Sequence, residues 1–269
     1  MDYKNLILNG RSVREFKNKK ISEKYFKEIE DYIKNNKKLL PELSFELKIF
    51  DKDEVYTKLQ NVAGYNGHMI EAPHYCIILS DVEKGYIENS GYIGERLILK
   101  SRSLDIDSCW ITFDDSDKIK EKLNISSNKD VTAIIALGYG ENVKAKNKRS
   151  SERLGIEEIV YMGEWGNNAS IDELEERGLL DAFSYARMAP STLNRQPWRF
   201  IIDGGNLVLA VKKDGFTGDY EKCIDAGIAM LYFGLIIDST MFDLKWNVGT
   251  PEKAYNIDSD YEIMGYCMI

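Results

Sequence analysis

The 269-residue chain is poor in the residues that build most enzyme centres. It has two histidines, His68 and His74. Two imidazoles cannot by themselves supply a zinc site, and they leave little room for a Ser-His-Asp triad. The four cysteines, Cys76, Cys109, Cys223 and Cys267, are scattered with no CxxC pair. They read as reduced thiols, and a cytoplasmic location is expected. The opening MDYKNLILNGRS lacks the apolar core of a signal peptide. No apolar run approaches the ~18–20 residues of a membrane span, so no membrane partner is expected. Positive charge is also in deficit: 36 Lys+Arg against 44 Asp+Glu leave a net charge of −8. A nucleic-acid partner would need a basic face, and none is expected. The sequence carries no GxGxxG, no P-loop and no paired-carboxylate pattern.

What remains is an ordinary soluble composition, 43% apolar and 30% charged. At ~150 residues per domain the length allows one to two domains. Such a chain can bury a large core without disulfide or metal support. Helical spacing predicts a helix from Ile21 to Lys34, with Ser22 as N-cap and Tyr25, Phe26, Ile29 and Tyr32 on its apolar side. Alternation in Phe45 to Phe50 and apolar runs at His74 to Leu79 and Val131 to Leu137 predict strands. Gly91 to Leu104 reads as a helix with Ile93, Leu97, Ile98 and Leu104 on one side and Glu95, Arg96 and Lys100 elsewhere. Gly138-Tyr139-Gly140 reads as a strand end. Further on, Ile171 to Arg187 and Ala226 to Met241 read as helices. Arg199 to Ile202, Leu207 to Val211 and Glu262 to Ile269 read as strands, the first two joined by a turn at Gly204-Gly205. The class is α+β or α/β.

The order repeats. Gly91 and Gly227 open the two long helices 136 residues apart, and Trp110 and Trp246 follow them at the same offset. A fixed offset over a helix and its following Trp points to internal duplication, against the plainer reading that amphipathic helices look alike. The joint is expected at the Gly/Asn-rich stretch Gly163 to Ser170.

Three segments carry more polar or aromatic chemistry than packing asks for. Arg11-Ser12-Val13-Arg14-Glu15-Phe16 places two guanidinium forks and a hydroxyl together, a donor set suited to a phosphate and a sugar chain. Alone it reads more simply as a solvated basic turn. Ala189 to Trp198 holds two of the chain's five prolines and the polar Ser191, Thr192, Asn194 and Gln196. A rigid polar loop between helix and strand is where binding groups sit. Ser108 to Asp114 is an aromatic, apolar run that is either core or a support lying beside a planar ring.

These segments resemble the FMN-dependent nitroreductases. That family carries an RRSxRxF-type segment, a PSxxNxQPW loop, a CWIG-like turn after a long helix, and a strand ending in GY before a basic residue and EEIV. Here they are RSVREF, PSTLNRQPW, CWITF, and LGYGE followed by RLGIEEIV. The stretch KKLLPELSFELKIF in the first half lacks the polar loop, and WGNNASIDEL at the start of the second lacks the RSxR segment. The resemblance therefore implies an α+β, nitroreductase-like fold of two fused half-domains, 1–163 and 164–269. Each would have a mainly antiparallel sheet with helices. Together they would form a pseudo-dimer with one FMN site at their interface, which makes a monomer the expected state.

Carried over residue by residue, the resemblance assigns Arg11, Ser12 and Arg14 to the FMN phosphate and ribityl chain, with Arg153, or Arg149 nearby, as a further phosphate ligand. It assigns Asn66 to the uracil edge of the ring and Trp110, Ile111, Thr112 and Phe113 to the support of the ring near N5. It has Pro190, Ser191, Thr192 and Asn194 cross from the other half. The chain departs from the family at Gly10, where an Arg is common, at Met69, where a Lys is common, and at Thr112-Phe113, where a Gly often follows. The implied activity is hydride transfer from NAD(P)H through FMN to a small electron-poor acceptor, nitroaromatic- or quinone-like, by a ping-pong mechanism with no essential catalytic side chain. The alternative is a flavin-binding module, a carrier or sensor, with little or no turnover. A third reading keeps FMN and changes the chemistry. No metal is implied.

Overall fold

The computed structural model describes residues 1–141, 152–213, 218–240 and 242–269. The chain divides into two compact units. One gathers Met1, Asn9–Tyr86 and Ile93–Ser150; the other gathers Asp2–Leu8, Ile87–Tyr92 and Ser151–Ile269. Helix α1 (Tyr3–Leu8) belongs to unit two.

Unit one starts from α2 (Glu23–Asn35), which follows Ser22 in extended backbone and buries Ile29 and Ile33. Then come β1 (Phe45–Asp51), the single turn α3 (Lys52–Val55) and β2 (His74–Ser80). Helix α4 runs Tyr86–Arg102, β3 Asp107–Ile111, α5 Ser116–Leu123 and β4 Asp130–Gly138. The sheet has the order β1-β2-β4-β3 and is antiparallel throughout. Every residue of β2 is buried, as are all of β4 except Asp130, because these strands lie centrally. Ile29 and Ile33 of α2, Ile93 and Leu97 of α4, and Ile78 and Ile135 of the sheet share one core cluster.

Three expectations change here. Helix α4 begins at Tyr86, five residues before Gly91, because Gly85 takes the left-handed backbone (φ 80°) that starts it. Glu95 and Arg96, expected away from the apolar side, are buried. The CWI of the CWITF run lies in a strand rather than a turn: Trp110 and Ile111 pair with Ile135 and Ile134 of β4, and β3 ends there. Its alternation is hidden in the sequence by apolar residues on both faces.

Unit two comprises α6 (Ile156–Ile159), β5 (Val160–Met162), α7 (Ile171–Glu176), α8 (Leu180–Ala186) and a 3-10 turn at Thr192–Asn194. Then follow β6 (Trp198–Asp203), β7 (Asn206–Lys212), α9 (Asp219–Asp238), β8 (Asn247–Val248) and β9 (Tyr261–Met268). Its sheet has the order β5-β6-β7-β9-β8, antiparallel except for the parallel β5–β6 pair. The single helix expected from Ile171 to Arg187 is two. Gly178 (φ 69°) breaks it, with the Leu179 N–H reaching back to the Leu174 carbonyl at 2.8 Å. Helix α9 begins seven residues before Ala226, and its expected end, Met241, lies outside the described residues. Gly163 to Ser170 folds back on β5: the Met162 N–H meets the Asn167 carbonyl, and the Ala169 N–H that of Val160.

The units repeat one topology. In each, two strands, a long helix and two further strands give a sheet whose last two strands are exchanged in order: β1-β2-β4-β3 and β6-β7-β9-β8. Each inner pair has a register shift, at Ile78/Leu79 and at Leu209/Ala210. The start of α4 packs on α9 without side chains between them. A Cβ on Gly91 would lie 2.4 Å from the Ile224 carbonyl oxygen, and one on Gly227 would lie 1.9 Å from that of Glu88. The contact is reciprocal, since Glu88 and Ile224 are themselves 136 residues apart, like the two glycines.

Candidate functional site

In unit one the site residues gather on the outer edge of β3. That strand has β4 on one side only, so its other edge presents backbone groups that need partners. Two segments supply them. The Val13 N–H bonds the Ser108 carbonyl at 2.9 Å, and the Gly64 N–H bonds that of Thr112 at 2.7 Å. The stretch between, at Trp110, is covered by neither.

The first segment is RSVREF. Val13 and Phe16 are buried and act as its anchors, while Ser12 and Arg14 are exposed. The backbone continues onto the end of β4, with the Lys17 N–H on the Tyr139 carbonyl at 2.7 Å. The carboxylate of Asp107 ties both pieces: Oδ1 lies 3.4 Å from Nη2 of Arg11, and Oδ2 accepts the Gly140 N–H at 2.9 Å. Burial pushes the Cys109 thiol up, opposed by the charge of Arg14 and by a hydrogen bond with Ser12. Arg11, Ser12 and Arg14 thus all border β3.

The second segment is a hairpin turn that the sequence reading passed over. Asn66 (φ 52°) and Gly67 (φ 77°) both take left-handed backbone, and the His68 N–H meets the Tyr65 carbonyl at 3.1 Å. This is the Asn-Gly turn whose twist suits a hairpin. Gly64 (φ 91°) admits no side chain, since a Cβ would lie 2.1 Å from the His68 oxygen. Ala63 bridges to Phe113. Tyr75 fixes the exit: its hydroxyl donates to the Ile70 carbonyl at 2.7 Å and accepts the Ala72 N–H at 3.1 Å. Burial pushes that phenol up to about 12. Asn66 stands exposed at the tip, whereas Met69 and Phe113 are buried.

Trp110 sits in a slot made by α4. Its Nε1–H donates to Oε2 of Glu95 at 2.9 Å, and a Cβ on Gly94 would lie 2.4 Å from the indole. The sequence pattern places Glu95 away from the apolar side of α4; 3.6-residue spacing does not distinguish a carboxylate that serves a neighbouring strand.

In unit two the PSTLNRQPW loop is clasped from three sides. Gln196 is 7% exposed; its Oε1 accepts the Leu154 N–H at 2.9 Å, and its Nε2 donates to the Glu152 carbonyl at 3.1 Å. Asn194 Nδ2 donates to the same Glu152 oxygen at 3.1 Å, and Ser191 Oγ accepts the Gln196 N–H at 2.9 Å. From α9, Asp225 accepts the Thr192 N–H at 3.1 and 3.2 Å on its two oxygens. These bonds hold Leu193, Asn194 and Gln196 at φ of 53°, 58° and 51°. Non-glycine residues there cost of order 1–3 kcal/mol each, and such strain persists where the surroundings over-determine it. Pro190 is half-buried at the head of the loop.

Two arginines complete the clasp by exchanging bonds. Arg153 Nη1 donates to the Ala189 carbonyl at 2.8 Å, and Arg187 Nη1 to that of Leu154 at 3.0 Å. Burial lowers the Arg153 guanidinium below its usual range, opposed by Tyr232 and reinforced by Arg187. Its Nε is buried with no hydrogen-bond partner among the described residues. Two guanidinium groups that repel each other, one with an unused donor, form an anion-seeking arrangement. Arg149 lies outside the described residues. Sequence reasoning missed Arg187, Asp225 and Glu95. A signal existed for Asp225, a lone acid inside the apolar run CIDAGIAMLYFGLII.

A family model described as "Putative TM nitroreductase" matches residues 2–237. The chain belongs to this nitroreductase family. A solved structure described as a "putative nitroreductase", from Thermotoga maritima, shares the fold at a TM-score of 0.61 and 21% identity, covering 100% of this chain and 94% of its own. An FMN-dependent nitroreductase from Clostridium difficile aligns at 23% identity and TM-score 0.44, over 52% of this chain and 88% of its own. A nitroreductase with bound FMN from Bacteroides fragilis aligns at 19% and 0.44, over 56% and 100%. No curated protein matches. The α+β, nitroreductase-type fold expected from the motifs is thus the fold of this family member. Among the described residues no His/Cys/Asp/Glu group could hold a metal, and no helix is long and apolar enough to cross a membrane.

Proposed function

We propose that this nitroreductase-family chain is an FMN-dependent oxidoreductase that passes hydride from NAD(P)H to a small electron-poor acceptor. The observation that carries the reading is the edge of β3, where the RSVREF segment and the Asn66 hairpin dock on Ser108 and Thr112 and leave the Trp110 stretch between them. The residues fit FMN by their chemistry. Arg11 and Arg14 offer guanidinium forks beside the Ser12 hydroxyl, and Arg153 offers a buried, unused donor. Hydrogen bonds to charged groups contribute about 1.5–3 kcal/mol each, so two or three such contacts would dominate the affinity for a phosphate dianion.

Bound FMN supplies the hydride chemistry at its ring. The chain's own work is placement. Arg11, Ser12 and Arg14 hold the phosphate and ribityl chain, with Arg153 as a further phosphate ligand and Arg149 as a candidate beside it. Asn66 reads the uracil edge. Trp110, Ile111, Thr112 and Phe113 support the ring by their backbone, with the indole kept in place by Glu95. Pro190, Ser191, Thr192 and Asn194 complete the site from the second half.

The chain is further proposed to be a fused pair of half-domains, 1–163 and 164–269, with one FMN site. The shared strand order, the equal offsets and the reciprocal Gly91/Gly227 contact support this, because a contact in which i meets j and j meets i is what two-fold symmetry produces. A monomer in the cytoplasm follows as the expected state. The decisive experiment is anaerobic mixing of FMN-loaded protein with NADH or NADPH. Rapid bleaching of one flavin per chain is expected. A loaded chain that neither nucleotide bleaches is a flavin carrier or sensor instead. A chain that takes up no FMN ends the reading, and two flavins per chain end the single-site argument.

A further inference from the structure

Helix α9 is apolar almost throughout, yet Asp225 lies within it at 2% exposure. Its carboxylate meets the Thr192 backbone N–H with both oxygens, and its Oδ1 lies 3.5 Å from the Thr192 hydroxyl. Further bonds to this loop come from its own residues, from Glu152, Arg153 and Leu154 on the segment before α6, and from Arg199 and Lys212 in β6 and β7. Asp225 ties the loop to the core helix of unit two. The three left-handed residues that follow begin one position after Thr192, so the Asp225 contact sets where that strained run starts. The first half shows the converse. Its connector between α2 and β1 has no such polar loop, and the position 136 residues before Asp225 is the amide Asn89.

We infer that Asp225 is the positioning residue of the PSTLNRQPW loop: by holding the Thr192 N–H it presents Pro190, Ser191, Thr192 and Asn194 to the cofactor. The inference rests on the FMN reading above. Asp225 meets the backbone N–H and the hydroxyl of Thr192, so its effect passes through the geometry of the loop.

The test uses the full-length chain, with FMN titrated into wild type, Asp225→Asn and Asp225→Leu. Asparagine keeps an acceptor for the Thr192 N–H; leucine keeps the volume and removes it. Asp225→Leu should weaken FMN binding by at least about tenfold and change the absorption spectrum of what remains bound, while Asp225→Asn stays within about threefold of wild type. A leucine variant that binds FMN with wild-type affinity and spectrum overturns the inference, as does an asparagine variant as weak as the leucine one. If Asp225→Leu does not fold, Thr192→Pro is compared with Thr192→Val. Both lose the hydroxyl and only proline loses the N–H, at a site where Ser191 is already extended (φ −143°, ψ 160°) as a residue before proline prefers. Proline binding FMN more weakly than valine supports the inference, and equal binding overturns it. Wild-type chain that takes up no FMN, by contrast, sinks the cofactor reading itself.

Discussion

The two units share a strand order and differ in what they attach to it. Unit two leads into β6 through a clasped, strained loop; unit one leads into β1 through a plain connector ending at Ser44. Unit one, in turn, covers the free edge of β3 with a cationic segment and a hairpin. The tryptophans at equal offset differ too: Trp110 donates to the buried carboxylate of Glu95 at 2.9 Å, and Trp246 to the Met230 backbone carbonyl at 3.2 Å. The difference teaches that a sheet-and-helix frame is indifferent to the chemistry it carries. Strand order follows from burial, and function follows from a few polar side chains at strand edges and loop ends.

The largest expected effect tests the frame. Gly227→Ala drives a methyl against backbone at 1.9 Å, and Gly91→Ala does so at 2.4 Å. Each should lower stability by about 3 kcal/mol or more in thermal or denaturant unfolding. Gly234, whose nearest neighbour would be 3.6 Å away, is the control in the same helix. Gly234→Ala should be neutral or stabilise by up to about 1 kcal/mol. Similar losses at all three sites would break the argument from close approach.

Next comes the asymmetry of charge. Arg14→Ala should weaken FMN affinity about 10- to 100-fold in a flavin titration, the loss of one charge-assisted contact. Lys38→Ala, in the plain connector of unit one, should leave it unchanged. Comparable losses would indicate that the plain connector of unit one also serves a flavin site.

A subtler effect concerns acid. His74 is 2% exposed, its Nε2 accepts the Ile21 N–H at 2.9 Å and its Nδ1 lies 2.9 Å from Asp51. Burial lowers its pKa, more than the Asp51 charge raises it. The unfolded chain therefore takes up this proton first as pH falls below about 6.5. Stability should be full above that value and decline below it until the folded imidazole also titrates. His74→Gln should flatten this segment of a stability-against-pH curve; an unchanged slope would show that His74 does not set it. Unit two holds no histidine, so the effect belongs to unit one alone.

The smallest effect is at the surface. Lys4 and Asp181 pair at 2.6 Å with side chains 46% and 67% exposed. Asp181→Asn should leave the melting temperature unchanged, as solvent-exposed pairs contribute little.

Much of this was legible in the chain itself. Periodicity located α2, β1, β2, β4, β6, β7 and β9, since each buries a face whose spacing shows in the order of residues. Ser191, Thr192 and Asn194 stand out because their polar density exceeds what a connector needs, whereas Arg11, Ser12 and Arg14 read alone as a solvated basic turn and stand out only through the family resemblance. Glu95, Asp225 and Arg187 do not stand out in this way. A carboxylate on a helix looks solvated until the partner it serves, an indole from β3 or an amide from a loop, is brought to it. The break at Gly178 and the early starts of α4 and α9 were likewise settled by local backbone and by packing. One-dimensional order records which residues prefer burial and which turns a glycine permits. Only the folded chain decides which buried polar group meets which donor, because that pairing joins residues distant in sequence and is enforced by the cost of leaving either one unsatisfied.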